Sequence, residues 1–292
     1  MTDERTYRKS SLLPVAPFGD RDVTRLIIGG NPFRGNSHQS PEKDRDMEAF
    51  YTVERIKAVL RDCERHGVNT VQARGDALVL ACIREHWAEG GQMQFIAQTA
   101  SELRDLEGHV RHLARFGAAG VYVHGTYTDR HFQERRMDVV RRLLEAIRNT
   151  GARAGVGTHM PEVVDYIEEQ GWAPDFYMTA LYNISRARRE SALVSGVFAE
   201  GEAFDHNDRR LMFERIRATP RQCLVFKVLG AGRLCDTPEQ VKDALAEAYA
   251  NIKPGDALVV GMFPKYRDEI AENARLVKSI LDIPPGNARS CP

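Results

Sequence analysis

Eight short apolar runs recur along this chain between residues 26 and 281, most of them followed by a segment of helical periodicity. Strands that all return to the same end of a sheet need crossovers long enough to hold a helix, so this alternation means a parallel sheet with right-handed connections. Eight such units close into a barrel. The pattern predicts strands at 26–30, 70–73, 94–99, 120–125, 153–158, 175–181, from 223 and 257–262. It predicts helices at 53–65, 77–87, from about 101, 139–148, from 161, 209–217, 238–250 and about 267–281. Pro161 suits a first helical turn, where its missing N–H is no loss. The competing open sheet usually carries an early G-x-G-x-x-G, which Gly29-Gly30-Asn31 does not supply. The expected fold is therefore a (β/α)8 TIM barrel.

A chain of 292 residues, 42% of them hydrophobic, can bury one large core. A TIM barrel uses about 250 residues as one domain, and no shift in composition marks a second, so 1–292 reads as a single domain. Residues 1–24 form a preamble, in which Pro17-Phe18-Gly19-Asp20 suits the turn of a hairpin across one end. Residues 32–50 and 184–208 are expected to be loops over the barrel mouth, the former with Phe33 and Arg34 facing the pocket. Lysine plus arginine equal aspartate plus glutamate at 41 each, which gives no electrostatic case for nucleic acid. No run is long enough to span a membrane, and the opening M-T-D-E-R-T-Y-R-K lacks the apolar core of a signal peptide. Cysteines 63, 82, 223, 235 and 291 form no C-x-x-C pair. They read as reduced thiols of a cytoplasmic protein.

The stretch from Cys223 to Arg233, C-L-V-F-K-V-L-G-A-G-R, carries the strongest functional signal. A lysine late in a buried strand puts its charge either in the core, where it is costly, or in a functional cavity. Among apolar neighbours Lys227 suits work as a base, a Schiff-base former or an electrostatic stabiliser. Polar residues close the other strands too: Asn31, Gln72, Arg74, Gln98, His124, His159 and Asn183. Together they predict a polar pocket that orients a polyhydroxy or carbonyl ligand. His124 and His159 close adjacent strands, a pair suited to acid and base roles. A metal would need a third ligand, and the nearest carboxylates, Asp76 and Asp129, read as loop residues, so no metal is expected. Arg34 and Arg74 suit an anionic or carbonyl oxygen. Arg186, Arg188 and Arg189 read as a solvated loop face, Cys223 as inert packing, and Asp205-His206-Asn207-Asp208 as a helix start.

In this order the units resemble the aldo/keto reductase superfamily over nearly the whole chain. G-V-N-T-V-Q-A-R (Gly67 to Arg74) stands where that family has G-I-N-x-x-D-T-A. His124 closes the fourth strand, Tyr182-Asn183 follows the sixth, V-L-G-A-G-R-L (Val228 to Leu234) resembles P-L-x-x-G-x-L, and Glu272-Asn273 resembles a pair in the last barrel helix. The resemblance implies a TIM barrel and NAD(P)H-dependent carbonyl reduction by an aspartate, a tyrosine, a lysine and a histidine. This chain has Gln72 at the aspartate position, Ala77 near the tyrosine position and Gln98 or Thr99 at the lysine position; only His124 matches. The positions that grip the 2′-phosphate fall on Phe263 and Glu269. Lys265, Arg267 and Asn273 are then the candidates for holding a cofactor if NADP or NAD binds, and NADP is the more disfavoured. The leading expectation is acid–base chemistry on a small sugar-like or carbonyl substrate, by isomerisation, elimination or hydrolysis. Lys227 would be base or stabiliser and His124 or His159 the acid, with Gln72, Arg74, Gln98 and Asn183 positioning the substrate. The alternatives are a reductase with an unorthodox proton donor and a non-catalytic ligand-binding or regulatory barrel.

Overall fold

The computed structural model describes residues 13–186, 192–195 and 202–282. It opens with an antiparallel hairpin, β1 (Val15–Phe18) and β2 (Arg21–Thr24), with Val15 opposite Thr24. Gly19 supplies the left-handed φ of +70° that this two-residue turn requires. The parallel strands are β3 (Leu26–Gly29), β4 (Thr70–Arg74), β5 (Gln94–Gln98), β6 (Gly120–Val123), β7 (Arg153–Thr158), β8 (Phe176–Ala180), β9 (Gln222–Phe226) and β10 (Ala257–Gly261). Each pairs with the next, and β10 returns to β3 with Leu258 opposite Leu26. The sheet is a closed (β/α)8 barrel, as the alternation predicts.

The helices are α1 (Pro41–Phe50), α2 (Val53–Arg65), α3 (Ala77–Ala88), α4 (Leu106–Phe116), α5 (Gly125–Gln133) and α6 (Met137–Arg148). They continue with α7 (Pro161–Glu169), the short α8 (Ala192–Ser195), α9 (Asn207–Ala218), α10 (Pro238–Asn251) and α11 (Glu269–Leu281). Side chains on both layers form two cores. Leu60, Ile83, Val110, Leu144, Ile167, Phe213, Leu245 and Val277 lie between helices and strands. Ile27, Ile96, Tyr122, Met178, Leu224 and Val259 fill the barrel together with Phe18 from the hairpin. Burying each large apolar side chain contributes about 1.5–3 kcal/mol.

Phe18 meets Phe176 edge-on, their ring centroids 5.1 Å apart. Glycine makes room for both rings: a Cβ at Gly155 would sit 2.5 Å from Phe176 Cζ, and one at Gly120 would sit 2.9 Å from Phe18 Cζ. The hairpin is tied to the starts of the strands, since Gln94 Nε2 donates to Asp22 O and Gln222 Nε2 donates to Pro17 O. It thus plugs the N-terminal end of the barrel, and any site must form at the other.

Four local expectations change. Residues 32–50 are largely helical: a 3₁₀ turn covers Asn31–Arg34, and α1 starts where Ser40 accepts from Lys43 N with Pro41 following. With Met47 its only buried residue, α1 carries no apolar stripe to announce it. The helix expected from residue 101 begins at Leu106, capped by Asp105, and Leu103 points to solvent with 43% exposed. Directly after β6 comes α5, so Asp129 stands on a helix rather than a loop. In the segment 184–208, Arg186 pairs with Asp208, whereas Arg188 and Arg189 lie outside the described residues, as does Cys291. Among the described residues no helix is long and apolar enough to cross a membrane.

Candidate active site

The C-terminal end of the barrel opens into a cavity of about 780 Å³. Parallel strands of similar length end at one rim, so the residues that close them meet there. Asn31, Gln72, Gln98, His124, His159 and Lys227 all line this cavity. The segment after β3 covers it through Asn36, Ser37, His38 and Gln39. Phe33 is instead buried against the Tyr51 ring, their centroids 5.1 Å apart.

Three of the other expected residues point elsewhere. Arg34 and Arg74 both reach Asp76, at 3.2 and 3.5 Å, and Arg74 also pairs with Glu102. Asp76 Oδ1 caps α3, accepting from Val79 N at 3.1 Å, while its Oδ2 meets both cations. Asn183 supports its own loop: its Oδ1 accepts from Ser185 N, and its backbone N donates to Asp208. None of the three lines the cavity.

Lys227 follows β9 in a left-handed conformation, φ +59°. A non-glycine residue held there costs on the order of 1–2 kcal/mol. Its Nζ lies 2.9 Å from His38 Nε2, and His38, itself at φ +57°, places Nδ1 2.7 Å from Glu202 Oε2. The carboxylate can only accept, so Nδ1 donates and Nε2 accepts from Lys227. Asn36 Nδ2, 3.2 Å from the same Nε2, suits that tautomer. Lys227 thus aims its charge from a fixed point, over the Phe204 ring at 5.7 Å.

His159 is held by a buried carboxylate. Asp129 Oδ2 lies 2.7 Å from His159 Nδ1, and Asp129 also accepts from Ser185 Oγ, Thr158 Oγ1 and the His159 backbone N. Nδ1 therefore donates, and the ring lone pair is on Nε2. Gly125 lets the ring come close: a Cβ there would sit 3.2 Å from His159 Cε1. His124 caps the start of α5, its Nδ1 2.9 Å from Ser101 Oγ and its backbone N donating to Thr99 Oγ1. Sequence reasoning singled out Lys227, His124 and His159 but not the side chains that hold them. The one trace was the segment 32–50, which contains His38 and was expected over the barrel mouth.

Toward α10 and α11 the cavity runs out past Cys235, Arg267, Asn273, Arg275 and Ser279. Lys265 is turned away onto Asp46, and Arg267 is held by Glu272 at 2.6 Å. Glu269, on the same wall, accepts from Phe263 N, and burial pushes its carboxyl upward. Lys265 and Arg267 do not suit a 2′-phosphate, since each is already engaged by a carboxylate. Among the described residues, no cluster of three His, Cys, Asp or Glu side chains suits a metal ion.

No family model matches the chain, and no curated protein matches it. Solved structures do. A truncated 3-deoxy-D-arabino-heptulosonate 7-phosphate synthase from Thermotoga maritima is 14% identical, with TM-score 0.54 over 92% of this chain and 91% of its own. The aldo-keto reductase AKR11C1 from Bacillus halodurans is 8% identical, with TM-score 0.54 over 91% of this chain and 89% of its own. The glycerol dehydrogenase AKR11B4 from Gluconobacter oxydans is 11% identical, with TM-score 0.51 over 92% and 95%. What this chain shares with the two reductases it shares equally with the synthase: the eight-stranded barrel itself.

Proposed function

We propose that this barrel is an enzyme of acid–base chemistry, acting on a small sugar-like or carbonyl substrate by moving a proton at a carbon next to a carbonyl. One observation carries the reading: two proton-carrying side chains face one cavity, each oriented by its own buried carboxylate. Asp129 holds His159, and Glu202 holds Lys227 through His38. Surface residues gain nothing from such support, whereas a catalytic group needs it.

In this reading His159 Nε2 takes the proton from carbon, and the electron pair of that C–H bond becomes the new C=C bond. The carbonyl π pair moves onto oxygen, where the Lys227 ammonium stabilises the charge. Return of the proton to the former carbonyl carbon, with the hydroxyl proton passing to the oxyanion as that hydroxyl becomes the new carbonyl, completes an isomerisation; loss of a group from the next carbon would make an elimination. His124 stands by as the acid for the oxygen.

The test is proton exchange of hydroxyacetone in D₂O, followed by loss of its carbon-bound ¹H signal. Wild type should catalyse the exchange, and His159→Asn and Lys227→Met should each slow it by about 10²–10⁴-fold. Saturable binding with no exchange would favour the non-catalytic barrel. Exchange unaffected by both variants would remove these residues from the chemistry.

A further inference from the structure

The floor of the cavity is made by three side chains on consecutive strands: Gln72 of β4, Gln98 of β5 and Tyr122 of β6. Gln72 Nε2 lies 2.7 Å from Tyr122 Oη, which lies 2.8 Å from Gln98 Oε1. A phenol has one proton to give, so when it donates to one glutamine it must accept from the other. The two amides are thereby forced into opposite orientations. One turns its carbonyl to the tyrosine and its NH₂ away from it; the other does the reverse. As placed, Gln98 is the donor. It is 7% exposed, and its Nε2 has no hydrogen-bond partner among the described residues. An amide left unpaired beneath the cavity surface is costly, and a ligand oxygen satisfies it once the Gln98 side chain turns toward the cavity it lines. Burial pushes the Tyr122 hydroxyl well above its ordinary range, so it stays the protonated phenol that the coupling requires.

We infer that Gln72, Tyr122 and Gln98 act as one coupled reader for an α-hydroxycarbonyl: an oxygen that accepts beside a hydroxyl that donates. This rests on the acid–base reading above and gives it a substrate class. The coupling also suits both ends of an isomerisation, in which carbonyl and hydroxyl exchange carbons. When the Tyr122 O–H turns from Gln98 to Gln72 and both amides rotate, donor and acceptor exchange places. No proton passes between heavy atoms in that reversal, and substrate and product are read equally well.

The experiment is a ligand-observed NMR titration with three probes: hydroxyacetone, methoxyacetone and acetone. Wild type should bind hydroxyacetone about tenfold more tightly than methoxyacetone, which offers two acceptors and no donor. Tyr122→Phe keeps the ring and releases both amides, so each can turn its NH₂ to the ligand and the ratio should fall toward one. Gln98→Met, without an amide, should lose the preference as well. A residue with only a structural role would weaken all probes alike and leave the ratio unchanged. A wild-type ratio near one, no saturable binding of any probe, or a ratio kept in Tyr122→Phe overturns the inference. Binding is read here and catalysis in the exchange assay. Discrimination without exchange thus overturns the acid–base reading alone, and exchange without discrimination overturns the reader alone.

Discussion

Lys227 Nζ and His38 Nε2 meet at 2.9 Å, joining two non-glycine residues that both hold left-handed backbone conformations, at φ +59° and +57°. Strain of this kind persists only where the surroundings over-determine it, and it clusters at functional sites. Here it accompanies a lysine that lines the cavity.

The strain has a measurable consequence. Lys227→Gly and Lys227→Ala both remove the ammonium, but only glycine relieves the backbone. The glycine variant should be more stable than the alanine variant by about 1–2 kcal/mol, read as a difference in urea midpoints, while both are inactive. Equal midpoints would mean that the left-handed turn carries no strain.

Asp129 should matter through the ring it holds. In Asp129→Asn the amide can donate to His159 Nδ1, which moves the proton to Nε2 and removes the lone pair from the cavity side. The exchange rate should drop by about 10²-fold or more, with a shifted pH profile. Loss of the bond that Ser185 Oγ gives to Oδ2 should also destabilise the fold by about 1–3 kcal/mol. A variant that keeps the wild-type rate and pH profile would reduce the pair to a structural contact.

The pH dependence of stability follows from His109. Burial pushes its ring below the ordinary value of 6.5, and its Nε2 accepts from Ala100 N at 3.1 Å. Below 6.5 the unfolded chain binds a proton that the folded one refuses, so stability rises with pH in that window. It is full above that value and declines as pH falls toward the lowered folded one. His131 is depressed by burial in the same sense. Each group contributes at most about 1.4 kcal/mol per pH unit. Melting temperatures through the window should fall on acidification, and His109→Gln should flatten the slope. A slope unchanged in His109→Gln would contradict the assignment.

NADPH should bind weakly or not at all, with NADH less disfavoured. Lys265 is occupied by Asp46 and Arg267 by Glu272, so both cations are already engaged by carboxylates. Fluorescence titration checks this. Micromolar binding together with turnover of a simple aldehyde would move the reductase alternative into the lead.

The barrel was legible in the sequence because its signal is local. Strand and helix periods, Pro161 opening α7 and Gly19 turning the hairpin each depend on a few neighbouring residues. The rim residues Lys227, His124 and His159 were legible for a related reason, since strand ends share one rim in a closed parallel barrel. What holds them was not. His38 comes from 189 residues before Lys227, Ser185 from 56 residues after Asp129, and Asp129 from a helix that periodicity did not show. Arg34 and Arg74 read as anion binders until the fold placed Asp76 between them. Tyr122, within the strand expected at 120–125, was not singled out, because its hydroxyl meets two glutamines only in the closed barrel. Hydrogen bonds depend on where distant side chains point after the chain has closed on itself. The sequence therefore determined which polar groups stand at the strand ends, and the tertiary structure decided which of them face the cavity and what holds them there.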